Sequence, residues 1–343
     1  MEAKQKKKLL WQIPFLTVLI VGTFLILRQQ QQTAPNQKSA DKVYGTFSHI
    51  AYQCDSDLTQ SINAELAKVD QSLSPFNEHS IITAINQNQD VVLDTMFLDV
   101  YQKAMQISLD TDGAFDITVA PLVNAWGFGF KNGSQPSASQ VDSLMQIVGY
   151  QKVSLVDGKI RKADPRMMLD CSAIAKGYGC DAVAKLLRSK GIKNFMVEIG
   201  GEIVTSGVND KQQPWVIGVT KPTDDSLNVG NELQTILNLT DKAMATSGNY
   251  RNFYYKDGKR YAHTIDPRTG FPVQHNILSA TVIAPSCAIA DAYATSFMVM
   301  GLEETKKILA SHPEIMAYLI YTDAQGNYAI WQSDGLKDFI NSN

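Results

Sequence analysis

The stretch Val153-Ser154-Leu155-Val156-Asp157-Gly158-Lys159-Ile160 places an Asp-Gly pair between two short runs of strand-forming residues. Asp-Gly supplies the two positive-φ positions of a tight hairpin turn, so two antiparallel strands are expected here. Phe253–Thr264 repeats the signal at Asp257-Gly258. Around these hairpins the periodicity is helical. Asp57–Leu73 is amphipathic, Asp94–Leu109 sets Val100, Ala104 and Ile107 on one face, and further helices are expected at 176–190, 286–300 and 303–311. Val43–Tyr52 alternates like one strand. Hairpins beside helices, without regular strand–helix alternation, imply an α+β fold with mixed or antiparallel sheets and packed helices.

The composition is ordinary for a globular protein, with 44% hydrophobic and 19% charged residues in 343. That excludes a disordered chain, a collagen-like repeat and a disulfide-dense mini-protein. The net charge of −3 averages two unlike parts. Residues 1–40 hold six Lys/Arg and one acid, leaving 25 basic and 33 acidic residues beyond them, a net of −8. An acidic body argues against a nucleic-acid partner, which requires a basic face.

The basic head surrounds Leu9–Leu27, a run without charge. As a helix it reaches roughly 28 Å, enough for a hydrocarbon core. Lys4, Lys6, Lys7 and Lys8 precede it, which orients the N-terminus to the cytoplasm. The Gln29–Gln32 run offers no small-residue cleavage site, so an uncleaved anchor is expected. The expected organisation is a cytoplasmic stub and membrane anchor over 1–28, a polar linker over 29–41, and a domain over 42–343 outside the cytoplasmic membrane. Cys54, Cys171, Cys180 and Cys287 form neither CxxC nor zinc-finger spacing, and buried free thiols are expected, with a Cys171–Cys180 bridge across a helix as the alternative.

Four segments carry chemistry. Leu169–Gly179 reads as a strand end near Asp170, small residues, then a helix with Lys176 in its first turn. Free N–H groups at a helix start favour phosphate, although a packed start with a solvated lysine reads equally well. Cys287–Thr295 puts Asp291 and Thr295 one turn apart on an otherwise apolar helix. Two hard oxygen ligands suit Mg²⁺, and a capping Asp with a packed Thr is the alternative. Tyr261–Pro272 carries His263, Asp266 and Arg268 on a turn stiffened by two prolines. Such a turn can hold a general base near a substrate, or be purely structural with an Asp266–Arg268 contact. Thr111–Asn124 sets Asp116 between apolar residues, either accepting defined hydrogen bonds or starting a helix. No GxGxxG or GxxxxGK[ST] occurs.

Together these segments resemble the FAD:protein FMN transferases of the ApbE family. The likeness runs from Tyr44-Gly45-Thr46 to about Gly301. It includes Leu73-Ser74-Pro75-Phe76, Gly113–Asn124, Ala173–Tyr178, Glu198-Ile199-Gly200-Gly201-Glu202, Ala245–Tyr250, His263–Gly270 and Asp291–Thr295. The resemblance implies an enzyme that binds FAD with Mg²⁺, breaks the pyrophosphate and passes FMN to a Ser or Thr hydroxyl of another protein, releasing AMP. By position it implies metal ligation by Ala173, Asp291, Ala294 and Thr295. FAD contacts are implied at Tyr44, Phe76, Ala114, Phe115, Asp116, Asp170, Lys176 and Ile265. His263, aided by Asp266 or Asp291, and Lys176 would be catalytic. The family pattern more often has Met at Tyr44, Tyr at Phe76 and Gly at Ala173. The acceptor implied is a protein bearing a Ser/Thr-Gly-Ala-Thr/Ser signature, part of an exported electron-transfer system. An Mg²⁺-dependent FAD pyrophosphatase would use the same residues, and an anchored flavin-binding redox protein is the reading from another class.

Overall fold

The computed structural model describes residues 14–23, 34–128, 135–222, 233–248, 253–256, 259–262 and 264–341. Residues 14–23 form helix α1, whose Phe15, Leu16, Val18, Leu19 and Ile20 are exposed. No helix among the described residues is long and apolar enough to cross a membrane. The spanning helix expected over Leu9–Leu27 is therefore not seen. The described helical residues number about half the ~20 a span requires, and residues 9–13 and 24–27 lie outside those described.

Strands β1 (Asn36–Val43) and β2 (Thr46–Gln53) form a hairpin rather than one strand with a linker before it. Tyr44 and Gly45 take φ of 50° and 74°, the turn chemistry that Asp157-Gly158 shows at 51° and 73°. Tyr-Gly is a weak turn signal, and β1 is an edge strand of polar residues, so neither stood out as sheet. Helices α2 (Thr59–Leu73), α3 (Ile81–Asn86) and α4 (Thr95–Asp110) follow, with Ser80 and Asp94 capping the last two. Short helices α5 (Ala120–Ala125) and α6 (Ala138–Met145) lead to the expected hairpin β3 (Val153–Val156) and β4 (Lys159–Lys162).

Helix α7 (Ser172–Ser189) begins earlier than expected, so Lys176 sits in its second turn, and the stretch before Asp170 is irregular rather than a strand. Then come β5 (Phe195–Ile199), β6 (Glu202–Ser206), the hairpin β7 (Trp215–Thr220) and β8 (Leu233–Leu239), and β9 (Ala243–Gly248). The second expected hairpin is present as β10 (Phe253–Lys256) and β11 (Lys259–Ala262). Strand β12 (Ile277–Ala284), helix α8 (Cys287–Ser311), and strands β13 (Met316–Thr322) and β14 (Tyr328–Gln332) follow, with a short 3-10 segment at Asp334–Phe339 after them. Helix α8 joins the two expected helices across a kink at Gly301, where φ is 77°.

Eight strands make one sheet in the order β1-β2-β5-β6-β9-β12-β13-β14, every ladder antiparallel. Helices α7 and α8 cover one face, burying Ala245, Ala280 and Val282 against Ala288, Ala292 and Phe297. The other face packs Ile203, Met244, Ile283 and Tyr318 against Ile217, Val219 and Leu237 of the β7–β8 hairpin. A sheet covered on both sides explains why its central strands read as nearly continuous apolar runs. The buried thiols are as expected: Cys171, Cys180 and Cys287 are free and buried, and Cys54 is free and half-buried.

Candidate active site

The site starts from a glycine. A Cβ on Gly177 would stand 2.3 Å from the Cys287 carbonyl oxygen, so only glycine lets α7 lie this close to the start of α8. The contact is fastened by Asp181, whose Oδ1 and Oδ2 accept the Cys287 and Ala288 N–H groups at 2.9 Å each. Asp291, one turn along α8, then reaches α7, and its Oδ2 accepts the Gly177 N–H at 3.0 Å. That donor would serve only the Ala173 carbonyl in an undisturbed helix, so Asp291 competes with the carbonyl for it.

Lys176 sits beside Asp291 with its Nζ 3.7 Å from Oδ1 and 2.7 Å from Glu202 Oε1. Burial pulls its pKa down, and the two carboxylates more than offset that, so the net shift is upward and the ammonium stays charged. Glu202 opens β6 and is buried. Its pKa is pushed up to about 8, mainly by burial and further by Asp291, with Lys176 opposing. Glu202 Oε2 is buried without a hydrogen-bond partner. A cation, two acids and an unfilled acceptor thus form the floor of a cleft of about 500 Å³.

Most expected site residues line this cleft: Ala114, Phe115, Asp116, Asp170, Ala173, Lys176, Ile265, Asp291 and Thr295. Asp116 is fully used by the wall. Its Oδ1 accepts the Thr118 N–H and hydroxyl, and its Oδ2 accepts the Tyr150 N–H, all at 2.7 Å. Asp170 Oδ1 accepts the Ser172 N–H at 2.8 Å, and the Asp170 N–H donates to the Ile117 carbonyl at 2.7 Å, tying the start of α7 to that wall. Phe76, 71% exposed, stands between the cleft and an adjoining chamber of about 530 Å³ lined by Tyr44, Leu73 and Pro75. The Tyr44 hydroxyl donates to the Leu66 carbonyl at 2.8 Å.

Three expectations fare differently. His263 lies outside the described residues. Asp266 is absent from the cleft lining; its carboxylate holds the Arg268 guanidinium at 3.0 and 3.1 Å, and Arg268 also pairs with Glu304. The structural-turn alternative accounts for Asp266, because both of its oxygens are already engaged. Ala294 is fully buried in the core and does not line the cleft.

The donor set fits Mg²⁺. Asp291 offers carboxylate oxygen, Thr295 a hydroxyl 3.2 Å from Ser247 Oγ, and Ala173 a main-chain carbonyl. All are hard oxygen donors, and Mg²⁺ commonly keeps several waters and few carboxylates. No group of three or more His, Cys, Asp and Glu suited to a metal occurs among the described residues.

Sequence reasoning assigned no role to Glu202, Asp181 or Ser247. The available signal was charge in an apolar setting: Glu202 heads a strand that is buried throughout. Asp181 lies in a helix whose exposed face explains a charge equally well, and Ser247 carries no signal of its own.

The profile of the ApbE family matches residues 44–320. The FAD:protein FMN transferase of Escherichia coli K12 is 34% identical over 313 residues, spanning 87% of this chain and 88% of that protein. The FAD:protein FMN transferase of Vibrio cholerae is 34% identical over 336 residues, 95% and 96% of the two chains. Among solved structures, the flavin transferase ApbE from Vibrio cholerae superposes with a TM-score of 0.81 at 34% identity, over 89% of this chain and 99% of that one. The apo flavinyl transferase ApbE of Pseudomonas stutzeri gives 0.79 at 28% identity, over 91% and 98%.

Proposed function

The chain belongs to the ApbE family, and from that membership we propose that it is an FAD:protein FMN transferase. The observation that carries the reading is the charged floor: Lys176, held by Glu202 and Asp291, lies where the cleft meets the apolar chamber of Tyr44 and Phe76. A pyrophosphate carrying aromatic groups needs that combination of fixed cation and apolar wall.

In the proposed reaction the acceptor Ser or Thr oxygen forms a bond to the phosphorus on the FMN side. The P–O bond to the other phosphate breaks, and AMP leaves with the bonding pair. The hydroxyl proton passes to His263, which directly precedes the cleft residue Thr264. General-base help of this kind is worth about 10²–10⁴-fold. Lys176 faces the oxygens on which charge grows, already oriented by its two acids. Asp291, Thr295 and the Ala173 carbonyl would hold Mg²⁺, which supplies charge neutralisation at the pyrophosphate when bound.

Placement at a membrane completes the proposal. The exposed apolar side chains of α1, after Lys4, Lys6, Lys7 and Lys8, support an anchor with the N-terminus cytoplasmic and the catalytic domain outside. The acceptor would then be an exported electron-transfer protein with the Ser/Thr-Gly-Ala-Thr/Ser signature. The test is incubation of purified enzyme with FAD and such an acceptor, with and without Mg²⁺, followed by mass spectrometry. Added FMN mass on the acceptor, only with Mg²⁺, is the expected result. Free FMN and AMP with an unmodified acceptor would overturn transfer in favour of hydrolysis.

A further inference from the structure

The central sheet is split next to the cleft. Strands β6 and β9 pair only at Ile203↔Met244 and Val204↔Ala243. Yet β9 continues to pair with β12 as far as Gly248↔Ser279, and β6 with β5 as far as Glu202↔Ile199. Beyond Met244, then, β9 has no ladder partner on its β6 side among the described residues. The opposite rim of the gap is the Gly200-Gly201 turn, whose residues have φ of 64° and 104°.

A separate cavity of about 410 Å³ opens on the far side of this gap. It lies on the sheet face away from α7 and α8, between Met244 and Ile203 of the sheet and Ile217 and Val219 of the β7–β8 hairpin. His49 and Glu198 also line it, and Glu198 Oε1 accepts the Gly201 N–H at 2.7 Å. Gly200, Thr246 and Gly248 line both this cavity and the cleft over Lys176 and Asp291. These three residues are therefore a wall common to both spaces.

We propose that this second cavity is where the acceptor protein docks. The acceptor lays an extended segment along the open edge of β9 beyond Met244 and delivers its hydroxyl through the Gly200–Gly248 gap. The inference rests on the transferase reading, and three observations lead to it. The apolar chamber suited to FAD rings joins the cleft at Phe76, Ser172 and Lys176, leaving the Gly248 end for a second reactant. An unpaired strand edge is matched by extended polypeptide, whose main-chain groups can complete the ladder. The cavity has the size of a small-ligand pocket, so it admits a few residues of chain and not a folded domain.

His49 provides the test. It lines the second cavity and does not line the cleft, its side chain is 62% exposed, and its register with Glu198, itself opposite Ile203, puts it on the sheet face that the cavity occupies. His49→Trp should crowd the cavity, raise the KM for the acceptor protein at least tenfold, and leave FAD affinity, read by flavin fluorescence titration, within twofold of wild type. His49→Ala should keep both values near wild type. An unchanged acceptor KM in folded, FAD-binding His49→Trp overturns the docking site. A loss of FAD affinity as large as the loss of transfer overturns it too, by assigning the cavity to FAD. Wild-type enzyme that binds FAD but flavinylates no acceptor removes the transferase reading itself, and the docking site with it.

Discussion

Asp116 and Glu202 are both buried acids on the same cleft, and they differ in what their oxygens do. Asp116, in the wall, has three hydrogen bonds from Thr118 and Tyr150. Glu202, in the floor, spends one oxygen on Lys176 and leaves the other without a partner. Burial raises the pKa of both; hydrogen bonds oppose it at Asp116, whereas Lys176 opposes it at Glu202. A satisfied acid holds the scaffold. An acid with an unpaired oxygen beside a cation is less settled than the wall, because a buried polar atom left unpaired costs about 1–3 kcal/mol.

The strongest way to break this contrast is Asp291→Ala, which strips the floor of a carboxylate. Transfer should fall on the order of 10²–10³-fold or more, as when a preorganised charge contact is removed. Mass spectrometry of the acceptor measures it, and near-normal flavinylation by the folded variant would sink the floor assignment. Asp116→Ala should act on stability instead. It orphans the buried Thr118 and Tyr150 N–H groups, for a loss of about 2–5 kcal/mol in urea unfolding. Turnover per folded molecule should change little; a collapse of turnover with unchanged unfolding would move Asp116 into the machinery.

Glu202→Gln sharpens the comparison on a smaller scale. Replacing a charge-assisted bond to Lys176 by a neutral one forfeits about 1 kcal/mol, so kcat/KM for FAD should drop about fivefold with stability nearly unchanged. The smallest effect is expected at His275, a satisfied group like Asp116. Its Nε2 lies 3.1 Å from the Val299 carbonyl, and its Nδ1 accepts the Ile277 N–H at 3.3 Å, next to the kink at Gly301. Burial lowers its pKa below 6.5, with the Val299 and Met298 carbonyls and then Asp266 and Glu304 opposing. The unfolded chain therefore takes up the proton first. The stability contribution is complete above about pH 6.5 and is lost as pH falls through the folded pKa, with a slope of at most about 1.4 kcal/mol per pH unit. His275→Gln should flatten the unfolding profile across that window, and an unaltered slope would count against the assignment.

What could be read along the chain was local. Asp157-Gly158 announced its hairpin because Asp tolerates positive φ, whereas Tyr44-Gly45 makes the same turn with a residue that rarely does. The i, i+4 spacing of Asp291 and Thr295 put both on one helix face, and both line the cleft. Asp266 looked equally chemical, but its neighbour Arg268 occupies it. Spacing alone does not distinguish an acid that is free to act from one already paired.

By itself the sequence determined the α+β class, the principal helices, two hairpins, the acidic body and the family likeness. All of these rest on periodicity, turn chemistry and motifs within a few dozen residues. Only the tertiary structure brought Lys176, Glu202 and Asp291 together from α7, β6 and α8, left one Glu202 oxygen unpartnered, and split the sheet between β6 and β9. Those features arise from contacts between distant segments, above all the approach that Gly177 permits. Their chemistry follows from burial, which no single stretch of chain encodes.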